Sequence, residues 1–335
     1  MMDTVVSGMA FGAALVASGM YSPYLIASQF TLENWNMVQT FLTATGCSAL
    51  SLQLLYGLGS HVPPPRSCSS LGLLGFSLDG NIIGGAVLGA GMSLAASCPG
   101  MVFPQAAMGV PSAPITLAGA SVGGIFWSAV LRPWLAARQQ RRAANGKGVS
   151  GRQPPKTLAQ LFGTGRAATF VFYEVLLGAL VAITASKARS APSALHPVAG
   201  GLAVGAAQLL SLVLRGSLLG VSTCYEHFGD WIVYLLRGGR GPQPATASLL
   251  FSASMAAGAL LLARQRPDLT VAAATWTVHI APWKAFWGGF LMAVGSRLGG
   301  GCTSGHGISG MGLMSVSSFV SMIATFAAAI AVSKM

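Results

Sequence analysis

The chain alternates long apolar runs with short polar connections, and many of the runs are interrupted. Several are shorter than the roughly 20 residues that a helix needs to cross a bilayer, or are broken by Gly and Pro. In a membrane, such breaks are tolerated only where protein surrounds them or where they line a cavity. The pattern predicts an all-α, polytopic membrane protein with interrupted or re-entrant helices. The apolar segments are 4–28, 36–59, 80–110, 114–135, 167–186, 196–221, 228–236, 246–263, 285–301 and 307–333.

The composition excludes a soluble enzyme. Of 335 residues, 53% are hydrophobic and 8% are charged, whereas about a quarter are charged in average soluble proteins. Glycine contributes 44 residues, spread through the apolar runs, and the mean hydropathy is +0.64. The five cysteines are an odd number in mostly apolar surroundings, which argues against a disulfide framework. No basic stretch precedes the first apolar segment, so we expect no cleaved signal peptide.

The formal charge of +12 is concentrated in one segment that contains no acidic residue. Under the positive-inside rule, residues 136–166 form a predicted basic cytosolic linker between a first membrane half, 1–135, and a second, 167–335. Few aromatic side chains accompany these charges, so we do not expect nucleic acid as a partner. The expected surroundings are a lipid bilayer, in the cell (plasma or inner) membrane. Eight of the 19 basic residues lie in or beside the linker: Arg132, Arg138, Arg141, Arg142, Lys147, Arg152, Lys156 and Arg166.

A repeat relates the two halves. The stretches GGAVLGAGMSLAASCPG (84–100) and GGFLMAVGSRLGGGCTS (288–304) share five identities at a constant offset of 204. Repeats of this kind in transporters place a binding site near the membrane midplane, at interrupted helices. We therefore predict two pseudo-symmetric halves whose interrupted helices meet at a central constriction. The matched residues are Gly84, Gly85, Gly91, Leu94 and Cys98 in the first copy, and Gly288, Gly289, Gly295, Leu298 and Cys302 in the second.

A helix break follows each matched cysteine, where the chain reads CPG in the first half and CTSG in the second. A helix that restarts after a break points free N–H groups and a positive dipole end at the break, which suits an anion. Thiols can donate and accept weak hydrogen bonds, so Cys98 and Cys302 are predicted to form the pathway. Gly100, Thr303 and Ser304 would complete the hydrogen bonding. The alternative is that both cysteines are small buried packing residues.

Three further polar residues near the breaks have two interpretations each. Arg297 either attracts the anion or has a structural role, in which it pairs with Glu174 or Glu226 or snorkels to the membrane surface from a helix end. Cys224 is either a third thiol on the pathway or a packing residue at a helix end. His306 is expected to make a structural hydrogen bond rather than to relay protons. No second His or carboxylate lies at ligand spacing from it, so we expect no metal and no cofactor.

Several stretches resemble the YeeE/YedE family of sulphur-transport membrane proteins. GGFLMAVGSRLGGGCTSGHGISGMGLMSVSSF is the most specific of them, followed by GGAVLGAGMSLAASCPG, and GAALVASGMYSP and LGVSTCYE are also similar. The resemblance implies an hourglass-shaped, pseudo-symmetric helical protein that takes up thiosulfate or a related sulfur compound. It further implies that ions pass a central constriction by successive hydrogen bonds with cysteine thiols. Cys98 and Cys302 match two of the family's pathway cysteines.

The chain departs from the thiosulfate-transporting members in the first hairpin. It has the sequence GMYS at 19–22, where those members have a further cysteine, and Cys224 in the third hairpin is a candidate replacement. We predict a permease for thiosulfate or a related small sulfur-containing anion, with a cytosolic sulfur-handling protein left open as a partner. The alternatives are a passive channel for another small anion or neutral solute and an intramembrane thiol or sulfur-transfer enzyme.

Overall fold

The computed structural model describes residues 1–60, 62–144, 155–186, 195–270 and 278–335, and within these ranges the chain forms helices and no β-strand. The predicted all-α fold is therefore confirmed. The helices are α1 (Met2–Ala17), α2 (Pro23–Phe30), α3 (Asn36–Gly57), α4 (Asp79–Ala95), α5 (Val102–Ala107), α6 (Ala113–Phe126), π1 (Trp127–Leu131), α7 (Arg132–Ala144), α8 (Leu158–Phe162), α9 (Arg166–Ser186), α10 (Pro197–Arg215), α11 (Thr223–Leu236), α12 (Ala247–Gln265), α13 (Pro282–Leu298), π2 (Ser304–Gly310) and α14 (Val316–Ser333).

Five helical stretches in the described part of the chain are long and apolar enough to cross a membrane. One of them joins α6, π1 and α7 into a single run that extends into the predicted linker. Residues 136–144 of that linker are therefore helical, and residues 145–154 lie outside the described ranges. The five stretches are Ala113–Arg142, Arg166–Ala185, Pro197–Arg215, Ala247–Gln265 and Val316–Ser333.

Four short breaks separate a helix from the shorter or irregular helix that follows it. The breaks lie between α1 and α2, α4 and α5, α10 and α11, and α13 and π2. Cys98 is in the second break and Cys302 is in the fourth, so the predicted interruptions are present. The fourth break turns at Gly300, whose φ of +81° is a left-handed conformation that glycine adopts without strain.

The two copies of the repeat pack against each other, because α4 lies along α13. A methyl carbon placed on Gly84 would lie 2.7 Å from the Gly295 carbonyl oxygen, and one on Gly91 would lie 2.6 Å from that of Gly288. Small residues allow this close approach of helices in a membrane. Since Gly84 corresponds to Gly288 and Gly91 to Gly295 in the repeat, the contact is reciprocal, as at a two-fold interface. The symmetry of the complete halves stays a prediction.

Helix packing places the four breaks near one another. α1 packs along α12, α4 is held between α13 and α14, and α10 packs along α3. One continuous cluster of buried side chains fills the space between these pairs, and it includes Cys98, Cys224 and Tyr225. The interrupted segments are thus enclosed by protein, which is the condition under which irregular backbone is tolerated in a bilayer.

Candidate functional site

The breaks after Cys98 and Cys302 meet at a small cavity of about 40 Å³. This volume has room for roughly three water molecules. Four of the predicted site residues line it: Cys98, Gly100, Thr303 and Ser304. The rest of the lining is mainly apolar, with sulfur from four methionines: Phe11, Leu15, Met20, Gln29, Phe30, Met37, Phe41, Met92, Met101, Ile308 and Phe326.

The Cys302 thiol is completely buried and is surrounded by hydrogen-bonding groups. Its Sγ lies 3.2 Å from the Ser304 Oγ. Backbone N–H groups of Gly305, Val221 and Ser222 are also within reach of the sulfur. Two of these N–H groups come from the break between α10 and α11, so two separate breaks supply the surroundings of one thiol.

The Cys98 thiol is also buried. The Thr303 hydroxyl and the backbone N–H groups of Gly100 and Met101 are its polar neighbours. Since Thr303 directly follows Cys302, the hydroxyl brings the two cysteine breaks into contact. An anion or another hydrogen-bond acceptor bound at this point would contact thiol, hydroxyl and backbone donors from both halves of the chain.

Cys224 is buried beside the Ser252 hydroxyl and interacts electrostatically with Cys302. Neither Cys224 nor Cys302 is among the residues that line the 40 Å³ cavity, where Thr303 and Ser304 represent the fourth break. The structure therefore places Cys224 next to the site without exposing its thiol to the cavity.

Tyr225 is a central residue that the sequence analysis missed. Its hydroxyl donates a hydrogen bond of 2.7 Å to the Pro99 carbonyl oxygen, and its ring stacks on Phe103 with centroids 5.9 Å apart. It interacts electrostatically with Cys98, Cys224 and Cys302. The only signal in the sequence is that it directly follows Cys224.

Arg297 forms an ion pair with Glu226, which is one of the two interpretations that the sequence allowed. Glu226 also accepts a 2.9 Å contact from Arg132, which pairs at 2.6 Å with Asp230. Glu174, the other candidate partner of Arg297, forms no ion pair within the described ranges. The charge of Arg297 is therefore compensated inside the protein.

Both ring nitrogens of His306 are engaged. Nε2 lies 3.0 Å from the Gly299 carbonyl oxygen and Nδ1 lies 3.0 Å from the Ser318 Oγ. Because a carbonyl oxygen only accepts, Nε2 carries the proton and Nδ1 accepts from the hydroxyl. This agrees with the expected structural hydrogen bond, and it leaves no free ring nitrogen to deprotonate Cys302. The described residues contain no cluster of His, Cys, Asp and Glu that could hold a metal ion.

A second missed residue is Arg66, in the connection between α3 and α4. Its guanidinium donates a 3.1 Å hydrogen bond to the Gly300 carbonyl oxygen, two residues before Cys302. Burial lowers the pKa of this guanidinium, but the ordinary arginine pKa is so high that the side chain stays charged. In the sequence it is an isolated basic residue after three prolines, with no motif to mark it.

Comparison with known proteins identifies the family. The sequence profile described as Sulphur transport matches residues 5–331, nearly the whole chain. Two proteins of Xylella fastidiosa, from strains Temecula1 and 9a5c and both named "Probable transporter", are 33% and 31% identical to this chain over 128 residues. Each match covers 37% of this chain and 82% of the relative.

These similarities confirm the predicted family resemblance and the prediction of a transporter rather than an enzyme. Together with the membrane-capable helices of the described ranges, they make the protein a multi-pass integral membrane protein. The chain belongs to the Sulphur transport family.

Proposed function

We propose that this protein is a permease for thiosulfate or a related small sulfur-containing anion. The anion would cross the membrane where the Cys98 and Cys302 breaks are in contact. The observation that carries the proposal is the shared cavity: Cys98 and two hydroxyls from the other break, those of Thr303 and Ser304, line one space. Sulfur, hydroxyl and backbone N–H groups together suit a soft anion that accepts hydrogen bonds. The transported ion is not chemically changed.

The dimensions of the cavity favour passage of a largely dehydrated ion. A space for roughly three waters does not accommodate an anion with its hydration shell. Thiol, hydroxyl and backbone donors around Cys98 and Cys302 would replace the lost water contacts, as polar groups do in selective pores. Methionine sulfurs add polarizable surface without a fixed charge, so the ion would not be held too tightly to leave.

The test is uptake of labelled thiosulfate into proteoliposomes. We expect Cys98→Ala and Cys302→Ala to lose most uptake while they keep the elution profile and melting temperature of a folded protein. Cys47→Ala is the matched control, because Cys47 packs against Gly205 of α10, away from the cavity lining. Unchanged uptake in both site variants would remove the thiols from the mechanism, and no uptake by the wild type would remove thiosulfate as the substrate.

A passive channel for a neutral solute or another anion is the second candidate, and the mainly apolar lining of the cavity favours it. Competition separates the two functions. A soft-anion permease should be inhibited more by unlabelled thiosulfate and sulfite than by sulfate or chloride. Equal inhibition by all four anions, or none, would favour the channel.

We also propose that the basic linker faces the cytosol, where a sulfur-handling protein would meet the transporter. Gln140 is exposed at the end of the helix that enters the linker, whereas Glu33 is exposed before α3. The 22 residues of α3 span about 33 Å between the Glu33 end and the connection that carries Arg66. With a membrane-impermeant maleimide, Gln140→Cys should be labelled only from the cytosolic side and Glu33→Cys only from outside. The reverse result would invert the topology.

A further inference from the structure

The connection between α3 and α4 holds Arg66 rigidly against the fourth break. The Arg66 backbone N–H donates a 3.0 Å hydrogen bond to the Ser315 Oγ, and its carbonyl oxygen accepts one of 3.0 Å from the Ser317 Oγ. Both partners lie at the start of α14. The backbone is thus fixed on each side of the side chain, which extends to the Gly300 carbonyl oxygen.

The guanidinium lies directly beside the segment that carries Cys302. A methyl carbon on Gly301 would be 3.0 Å from Arg66 Nη1, and one on Gly305 would be 3.0 Å from Nη2. Glycines on both sides of Cys302 therefore make room for this one side chain. Arg66 and Cys302 also interact electrostatically.

Within the described residues, no carboxylate pairs with Arg66. It takes part in none of the ion pairs of the described residues, and its Nε is buried without a hydrogen-bond partner. The side chain as a whole is half-buried and its hydrogen bond to Gly300 is open to solvent, so its partly desolvated charge is accessible to a counter-charge that would stabilise it. Arg297 also has a buried Nε without a hydrogen-bond partner, but its charge is neutralised by Glu226.

A polar, open cavity of about 420 Å³ adjoins this side chain. Residues 64–69 and Gly300 line it, including the half-buried Cys68. The Lys156 ammonium is close enough to Cys68 to interact with its thiol, which adds positive charge to the rim. The cavity lies at the end of the molecule that carries the basic segment, because Gln139 donates a 2.8 Å hydrogen bond to the Ser70 carbonyl oxygen.

We propose that Arg66 and this 420 Å³ cavity form an oxyanion-binding site at the mouth of the pathway, next to the Cys302 break. The planar guanidinium fork matches the paired oxygens of a tetrahedral oxyanion such as thiosulfate or sulfate. The site holds the anion by charge and by N–H donors, before or after the anion passes the thiols of Cys98 and Cys302. This proposal rests on the proposed function for its role in transport, but anion binding is measurable without transport.

The experiment measures binding of thiosulfate and of sulfate to the purified full-length protein by titration calorimetry at constant ionic strength. We expect Arg66→Gln to weaken binding of both anions by about tenfold or more, the usual loss for a hydrogen bond to a charged group. Arg66→Lys keeps the charge but loses the planar guanidinium, so its affinity for each anion should lie between those of the wild type and Arg66→Gln. Arg264→Gln, which removes an exposed arginine from the end of α12, is the matched control and should bind as the wild type does.

A measurement on the wild type covers the case in which the variants do not fold. Phenylglyoxal modifies accessible arginines, and mass spectrometry reports each site separately. Saturating thiosulfate should slow modification of Arg66 several-fold and leave Arg264 unaffected. Equal rates with and without the anion, or wild-type affinity in both Arg66 variants, would overturn the proposal.

The two proposals fail in different ways. Binding that depends on Arg66 in a protein without thiosulfate uptake would support the oxyanion site and remove the permease function. Normal thiosulfate uptake with an anion affinity that does not depend on Arg66 would support the permease function and remove the oxyanion site.

Discussion

The hydroxyl of Tyr225 donates a hydrogen bond to the carbonyl oxygen of Pro99 at 2.7 Å, and this bond joins the break after Cys98 to the start of α11. Both residues are inside the protein, among all three buried thiols. The bond therefore fixes the position of the Cys98 backbone relative to a helix from the other half of the chain.

We expect Tyr225→Phe to remove this restraint. Loss of the hydroxyl leaves a buried carbonyl oxygen unsatisfied, which costs about 1–3 kcal/mol, and it frees the break to shift. The loss of uptake should be larger than the small decrease in melting temperature can explain. Tyr234→Phe on the same helix is the control, since its hydroxyl makes no hydrogen bond within the described residues. Wild-type uptake in Tyr225→Phe would show that the bond is not needed for transport.

Glu226 should contribute more to stability than its neighbour Asp230. Glu226→Gln leaves Arg297 without an ion-pair partner. Because the Arg297 and Glu226 side chains are only 18% and 14% exposed, the loss should exceed that of a surface pair and reach about 1.5–3 kcal/mol. Asp230→Asn leaves Arg132 paired with Glu226, and the Arg132 side chain is 45% exposed, so the loss should be about 1 kcal/mol or less. Thermal unfolding in detergent would measure both. Similar losses would mean that the Arg297 pair is no stronger than a surface pair.

His306 should tolerate a glutamine better than an alanine. The glutamine amide can still donate to the Gly299 carbonyl oxygen, whereas alanine leaves that oxygen and the Ser318 hydroxyl without their partner. We expect His306→Ala to lose about 1–3 kcal/mol for each unsatisfied group. The control His279→Ala changes an exposed side chain and should stay within about 0.5 kcal/mol. If His306→Gln had the wild-type melting temperature but no uptake, the imidazole would have a direct role instead.

Two glycine substitutions should differ in their effect on stability. A methyl group on Gly89 would overlap the Thr325 carbonyl oxygen and lie 2.8 Å from the carbonyl carbon, so α4 and α14 would have to separate. Such overpacking costs about 1–3 kcal/mol. On α9, a methyl group on Gly178 would meet nothing within 4 Å, and alanine favours a helix by about 1 kcal/mol. Melting temperatures should therefore fall for Gly89→Ala and stay level or rise for Gly178→Ala. An equal change in both would contradict the close packing of α4 on α14.

The helical membrane fold and its interruptions were predictable from local sequence. Apolar runs with glycine and proline at 96–101 and 299–303 mark helices that cannot continue, because proline lacks an N–H donor and glycine favours turns. The match between Gly84–Cys98 and Gly288–Cys302 marks the two breaks that contribute to one cavity. The breaks are encoded by neighbouring residues and the repeat by a comparison of two segments of the chain, so neither signal depends on how the helices pack.

Long-range contacts decided which polar groups surround the site. Arg66 lies 234 positions from Gly300 and Tyr225 lies 126 positions from Pro99, and neither pairing has a sequence pattern. The two interpretations of Arg297 were equivalent until packing placed Glu226 beside it. Hydropathy and helix breaks depend on each residue and its neighbours, whereas the charge that remains unpaired depends on how separate helices pack, and only the tertiary structure contains that information.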